Sequence, residues 1–413
     1  MLTTAAPVGV VSRRSERRAA RATGVVGGSG VDGSGVLVRT RQGANVKMRS
    51  WGWRLVAIVA GVALALGLAA CGDDDDDAAD TAAGTEGTTL NLAYVTTAQH
   101  PYGQAVIDFA EKVGATGELT VTTQESYPQS EIQLLDDVRS GVVDMATISS
   151  AIWDTAGINA FQALQAPFLI TSYPLALAVE NGEIGQAMIA QANEEAGDVV
   201  VLAIHEGGLR KPFGKEELTS VGDFDGTTIR APQSQVLAAG LSALGANADP
   251  LPLPDVYQAL QNGTVDGVEA NLPLIYTTQW YEVATYVTGN VNLWPFPTVL
   301  TVNKAKYDSL SDAQKDALTT AAAGVTQFSI DIFTAPGSTV AQDLVNCGVE
   351  FVNSTDAQRA ALEMAGASAV SQLAPESQDF VTQIQAEKDA LPPAPAPAPL
   401  PSTSTGACTP PAG

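Results

Sequence analysis

Residues 130–149, SEIQLLDDVRSGVVDMATIS, change their apolar period half way along. Ile132, Leu135, Val138 and Val142 recur at the three-to-four-residue spacing of one helix face. The overlapping run VVDMATIS (142–149) reads instead as a strand, because apolar and β-branched residues crowd it. The same alternation extends outward. Upstream, TLNLAYVT (89–96) is a strand, a helix follows near Gly103–Val113, and ELTVTTQES (118–126) is a second strand. Downstream, DVVVLAIH (198–205), GTTIRAP (226–232) and FPTVLTVNK (296–304) are strands. LPDVYQALQNG (253–263) is a helix ended by Gly263. SLSDAQKDALTTAAAGVTQFSIDIF (309–333) opens with a capping box, Ser311 and Gln314, and reads as one long helix, kinked or ended near Pro336 and Gly337. Strands alternating with helices imply an α/β protein with mostly parallel sheet, in which ligands bind beyond the carboxyl ends of the strands.

The charge is lopsided. The 413 residues carry a net charge of −24, yet residues 1–70 hold ten Lys/Arg and two Asp/Glu. From Cys71 onward there are 11 basic and 43 acidic side chains, a net −32. A field this negative argues against nucleic acid or an anionic membrane surface as a partner held by charge. Only four of those basic residues are arginines: Arg139, Arg210, Arg230 and Arg359. Arg230 stands at the carboxyl end of the strand TTIRA, where Pro232 stops the ladder. Position alone makes it a candidate ligand contact. His100, in the loop after the first strand, is a second candidate, whereas His205 ends a strand that looks buried.

The N-terminal region reads as a targeting segment. Arg49 and Arg54 precede LVAIVAGVALALGLAA (55–70), 16 apolar or small residues, short of the roughly 20 that span a bilayer. The run closes in LAAC, which resembles the bacterial lipoprotein box, with Cys71 as the lipidated residue. Residues 48–70 are therefore expected to be a lipoprotein signal peptide and residues 1–47 an untranslated or disordered leader. Residues 71–89, opening in GDDDDD, form an acidic linker, and 391–413 a Pro-rich, unpacked tail. Cys347 and Cys408 can pair or remain free thiols; the residues leave both open. No Cys/His cluster suggests zinc, and no nucleophile elbow, P-loop or usable dinucleotide fingerprint suggests catalysis.

From the linker to the tail, the order of motifs resembles the extracytoplasmic solute-binding proteins of tripartite ATP-independent periplasmic (TRAP) transporters. The motifs are EIQLLDDVRSGVVDMATIS, FQALQAPFLITSYPLALAV (161–179), GLRKPF with LTSVGDFDGTTIRAP (208–232), LGANADPLPLPDVYQALQNGTVDGVEANLP (244–273) and FPTVLTVNKAKYDSLSDAQKDAL (296–318). The resemblance implies a two-lobed periplasmic-binding-protein-like fold with a hinge and a long lobe-spanning helix. Lobe I would be 90–207, resuming near 296–335; lobe II would be 208–295, resuming near 336–390. It also implies a receptor that captures an organic acid by lobe closure and hands it to a membrane permease, with no catalysis and no cofactor. Localisation would be extracytoplasmic, lipid-anchored to the outer face of the cell membrane.

The resemblance carries over to particular residues. Arg230 would grip the ligand carboxylate bidentately, and Arg210 would help hold it, with Lys211 beside it as a competing cation. Glu269 would be a hydrogen-bond acceptor. Relatives often have asparagine directly after that glutamate; this chain has Ala270 and then Asn271, so Asn271 is the candidate second clamp. Trp153 and Phe296 would line the cleft. Two other readings compete: the receptor of an ATP-driven importer, disfavoured by TTIRAP and NGTVDGVEAN, and a secreted lipoprotein enzyme, disfavoured by the lack of a nucleophile motif.

Overall fold

The structure is a computed structural model that describes residues 87–392 and 399–411. The leader, the signal peptide with Cys71, and most of the acidic linker lie outside the described residues. Eleven strands occur among those described: β1 (Thr89–Ala93), β2 (Thr120–Gln124), β3 (Met145–Ser149), β4 (Val199–His205), β5 (Lys211–Gly214), β6 (Thr228–Ala231), β7 (Asn247–Pro250), β8 (Gly267–Ala270), β9 (Tyr286–Thr288), β10 (Thr298–Asn303) and β11 (Glu350–Val352). They form two sheets, β2-β1-β3-β10-β4 and β11-β9-β5-β8-β6-β7, one per lobe.

Helices cover both faces of the first sheet, so its strands are apolar on both sides. Leu90, Leu92 and Leu300 point into one buried cluster with helix α1 (Pro101–Gly114). Ala93, Ile148 and Val299 point into another with helix α2 (Glu131–Ser140). Adjacent residues Val299 and Leu300 serve opposite faces, as the period of two requires. The second sheet repeats the plan, with Phe213, Val268 and Val287 on one side and Ile229 and Ala231 on the other.

The expected mostly parallel sheet is corrected to two mixed sheets. β10 runs antiparallel to β3 and β4, and β5 runs antiparallel to β8 and β9. The cause lies in the two connections that carry the chain from one sheet to the other between β4 and β5 and back between β9 and β10. Residues 206–210 leave β4 for β5, and residues 289–297 return from β9 to β10. The two crossings lie side by side: Arg210 N–H donates to Trp294 O at 2.9 Å, and Leu293 N–H to Arg210 O at 2.8 Å. Glu206 fastens them further, accepting Gly208 N–H at 2.6 Å and Phe296 N–H at 3.2 Å on one carboxylate oxygen.

Other expectations need correction. The apolar stripe of α2 ends before Val142. Gly141, at φ 81°, takes the left-handed conformation that closes the helix and leaves Val142 74 % exposed. Leu134, Leu135 and Val138 are the residues that α2 buries. The long helix is two, Asp312–Ala322 and Val325–Thr334, broken at Ala323–Gly324; its predicted Ser311–Gln314 capping box is present. The segment 336–390, expected in lobe II, is divided. Leu344 and Val345 of helix Val340–Asn346 are buried, Leu344 in the core of the second sheet, but helix Pro375–Ala390 buries Phe380 and Ile384 in a cluster of the first.

The tail is also not wholly unpacked. A Cys347–Cys408 disulfide ties it to lobe II. Tyr276 Oη donates to Thr409 O at 2.7 Å, and Asn346 Oδ1 accepts Thr405 N–H at 2.9 Å. Among the described residues of this segment, these contacts rest on the surface of lobe II.

Candidate functional site

Five strand ends converge on one cleft. His100 caps α1 after β1: Tyr102 N–H donates to His100 Nδ1 at 3.1 Å. Glu131 is the first residue of α2, which follows β2. Arg230 is near the end of β6, Leu253 follows β7, and Asn271 follows β8. All five residues line the same cleft, with Arg210, Phe296, Gly207 and Tyr102 completing much of its wall. The crossing segments thus floor a site whose sides come from both sheets, at the strand edge where α/β proteins place ligands.

Arg230 is 3 % exposed. Its Nε and Nη2 donate to Leu251 O at 3.0 and 2.7 Å, which fixes the guanidinium plane. Among the described residues it makes no ion pair. Burial lowers its pKa to about 10, with Arg210 lowering it further and Glu269 and Glu131 opposing. It remains a cation at neutral pH.

Arg210 has a partner already. Its Nε donates to Glu269 Oε2 at 2.5 Å and its Nη2 to Oε1 at 3.3 Å. Its guanidinium also lies 4.1 Å from the centre of the Phe296 ring. Glu269 is accordingly the acceptor that holds Arg210 and is not in the cleft wall. Lys211 does not compete: strand alternation sends it away, to Gly289 O and Asn292 Oδ1, each at 2.7 Å.

The same alternation explains the departure at 270. Ala270 faces the apolar core of the second sheet, while Asn271 caps the helix Leu272–Thr277 and reaches the cleft. Asn271 Oδ1 accepts Leu274 N–H at 2.8 Å and sits 3.2 Å from His100 Nε2; Nδ2 donates to Gly207 O at 2.6 Å. Because His100 Nδ1 accepts the Tyr102 N–H, the ring proton is on Nε2 and is donated to Asn271. Burial, aided by Arg210 and opposed by the Asn271 bond, brings the His100 pKa down to about 4, so the ring is neutral at pH 7. Gly208 is required beside this group. At φ 106°, a Cβ there would meet Asn271 Nδ2 at 2.6 Å and the Phe333 ring at 2.8 Å.

The structure brings Arg230, Arg210, His100, Asn271 and Phe296 together and leaves Trp153 out. Trp153 is fully buried, edge-on to Phe161 at 5.4 Å between ring centres, a core residue. His205, likewise, is buried against Thr298, and burial lowers its pKa to about 3. Sequence reasoning missed Glu131, Tyr102 and Leu253. For Glu131 a signal existed: it opens the helix after the second strand, at the carboxyl edge of the sheet. The cleft is narrow, with about 20 Å³ open to the centre of a water molecule, room for about one water. Among the described residues no group of three or more metal-binding side chains occurs, and no helix is long and apolar enough to cross a membrane.

A family model described as bacterial extracellular solute-binding protein, family 7, matches residues 92–376. The chain is 28 % identical over 283 residues to the C4-dicarboxylate-binding periplasmic protein of Rhodobacter capsulatus, covering 67 % of this chain and 84 % of that one. The sugar acid binding protein of Advenella mimigardefordensis, solved with galactonate, superposes with a TM-score of 0.68 at 26 % identity, over 73 % of this chain and 98 % of that one. A TRAP periplasmic solute binding protein of Roseobacter denitrificans, solved with L-galactonate, gives 0.66 at 26 %, over 72 % and 98 %. The chain belongs to the family 7 extracellular solute-binding proteins of TRAP transport systems, a family of receptors rather than enzymes.

Proposed function

We propose that this receptor captures an organic acid outside the cell membrane, closes its two lobes on it, and delivers it to a TRAP-type permease. The observation that carries the reading is Arg230: a buried cation, its plane fixed by Leu251 O, in a cleft wall and without a carboxylate partner among the described residues. A guanidinium so held offers its remaining N–H groups to a ligand carboxylate, and desolvation on closure strengthens each such bond. The narrowness of the cleft fits a closed state, so the lobes part to admit ligand, with the side-by-side crossings at Arg210 and Trp294 as the hinge. Relatives solved with sugar acids support a carboxylate ligand. Lipidation at Cys71 would hold the receptor at the outer membrane face, with the acidic linker as a spacer.

Native mass spectrometry of freshly purified protein, followed by a thermal-shift panel of carboxylates, tests the reading. A retained acid, or a panel member that raises Tm by several degrees, is expected. A panel in which no carboxylate shifts Tm contradicts it.

A further inference from the structure

Two buried carboxyl groups meet at the crossings. Glu206 directly follows β4, and Glu180 stands one residue before the end of helix α3 (Tyr173–Asn181). They are 0 % and 1 % exposed and lie in hydrogen-bonding contact with each other. Ionised carboxylates only accept hydrogen bonds. Glu206 Oε1 takes the Gly208 and Phe296 N–H groups, but Glu206 Oε2 and both Glu180 oxygens have no donor elsewhere among the described residues. Two like charges in dry contact repel, whereas one proton turns either carboxyl into a donor to the other.

Neighbouring elements bring no cation to the pair. Arg210 is taken by Glu269. Lys388, on the helix Pro375–Ala390 that packs on α3, donates to Phe168 O at 2.9 Å. His205 is held by Thr298 and kept neutral by burial. Tyr173, two turns before Glu180, keeps its phenol proton, because burial and then the charge of Glu206 raise its pKa.

The surroundings also say which carboxyl carries the proton. The two N–H groups at Glu206 stabilise a carboxylate there. Glu180 lies in the last turn of α3, where the helix dipole disfavours negative charge. Burial and the charge of Glu206 raise the Glu180 pKa well above the usual carboxyl range.

We infer that Glu180, as a carboxylic acid, donates a hydrogen bond to the Glu206 carboxylate and is thereby a positioning residue for the floor of the cleft. Glu206 passes the constraint on, since it holds an N–H of each crossing. Gly207 and Phe296 line the cleft; Gly207 O accepts Asn271 Nδ2, and the Phe296 ring lies against the Arg210 guanidinium. Without the Glu180 donor, a buried oxygen of Glu206 is left unsatisfied and its grip on both crossings loosens. That the crossings act as a hinge belongs to the proposed function; the proton bridge stands without it and is tested with no ligand present.

Infrared difference spectroscopy and hydrogen–deuterium exchange test the bridge. Near neutral pH, the spectrum of wild type minus Glu180→Gln should carry the stretch of one protonated carboxyl. A difference spectrum carrying a carboxylate stretch instead overturns the inference. So does a wild-type spectrum with no protonated carboxyl at all, which needs no variant to fold. Glu180→Gln supplies an amide donor in place of the acid, so its Gly208 and Phe296 amides should exchange within about threefold of wild type. Glu180→Leu supplies none, and the same two amides should exchange at least about tenfold faster. A Gln variant that fails to fold, or that exchanges as fast as a folded Leu variant, contradicts the bridge. A folded Leu variant that exchanges like wild type contradicts the positioning role.

Discussion

Arg210 and Glu269 form an ion pair at 2.5 Å with side chains 2 % and 0 % exposed, one residue on a lobe crossing and the other on a central strand of the second sheet. Such a pair contributes little net stability against an apolar isostere, but removing one partner strands the other charge in a dry environment. Glu269→Ala is expected to cost about 3–5 kcal/mol. Urea unfolding monitored by circular dichroism checks it, and an unchanged midpoint would contradict the pairing.

His100 should stay neutral, with its proton on Nε2, down to about pH 5. The sign follows from its pKa of about 4 in the fold against 6.5 unfolded. Above 6.5 neither state binds the proton. Between 6.5 and about 4 only the unfolded state does, so this residue draws stability away as pH falls, by about 1.4 kcal/mol per unit. The stability advantage of wild type over His100→Gln should therefore shrink across that window. Imidazole NMR showing ordinary titration near 6.5 would contradict the assignment.

The Cys347–Cys408 disulfide closes a loop with a sequence separation of 61 residues. Chain entropy sets its contribution at about 4 kcal/mol. Cys408→Ser should lower the unfolding free energy by up to that amount and expose 399–411 to protease. Thiol titration of unreduced, denatured protein should find neither residue free; two reactive thiols would contradict the bond.

Cys71→Ser should move the receptor from the membrane fraction to the soluble extracytoplasmic fraction. Continued tight membrane association of the variant would count against lipidation at that residue.

Much of the fold was legible because its signals are local. The period change within SEIQLLDDVRSGVVDMATIS marks a helix and a strand, although the helix ends at Ser140, two residues before the last residue of the predicted stripe. The direction of β10 was not legible, since a strand's apolar pattern carries no sense of parallel or antiparallel. Arg230 could be found because it ends a strand in an arginine-poor chain. Trp153 was misread because an aromatic beside a cleft and one beneath it have the same sequence signature. Glu131 was passed over among 43 acidic residues of the segment, most of which nothing in the sequence separates from solvated surface. What distinguishes it is the neighbourhood of Arg230 and Arg210, which only the folded chain supplies.

Calorimetric titration of wild type and Arg230→Ala with the carboxylate that binds best in the thermal-shift panel tests the central claim most directly. Two charged hydrogen bonds at about 1.5–3 kcal/mol each predict a loss of affinity of at least about 100-fold. The variant's circular dichroism should match wild type. An Arg230→Ala protein that binds the same acid within about threefold of wild type would contradict the account.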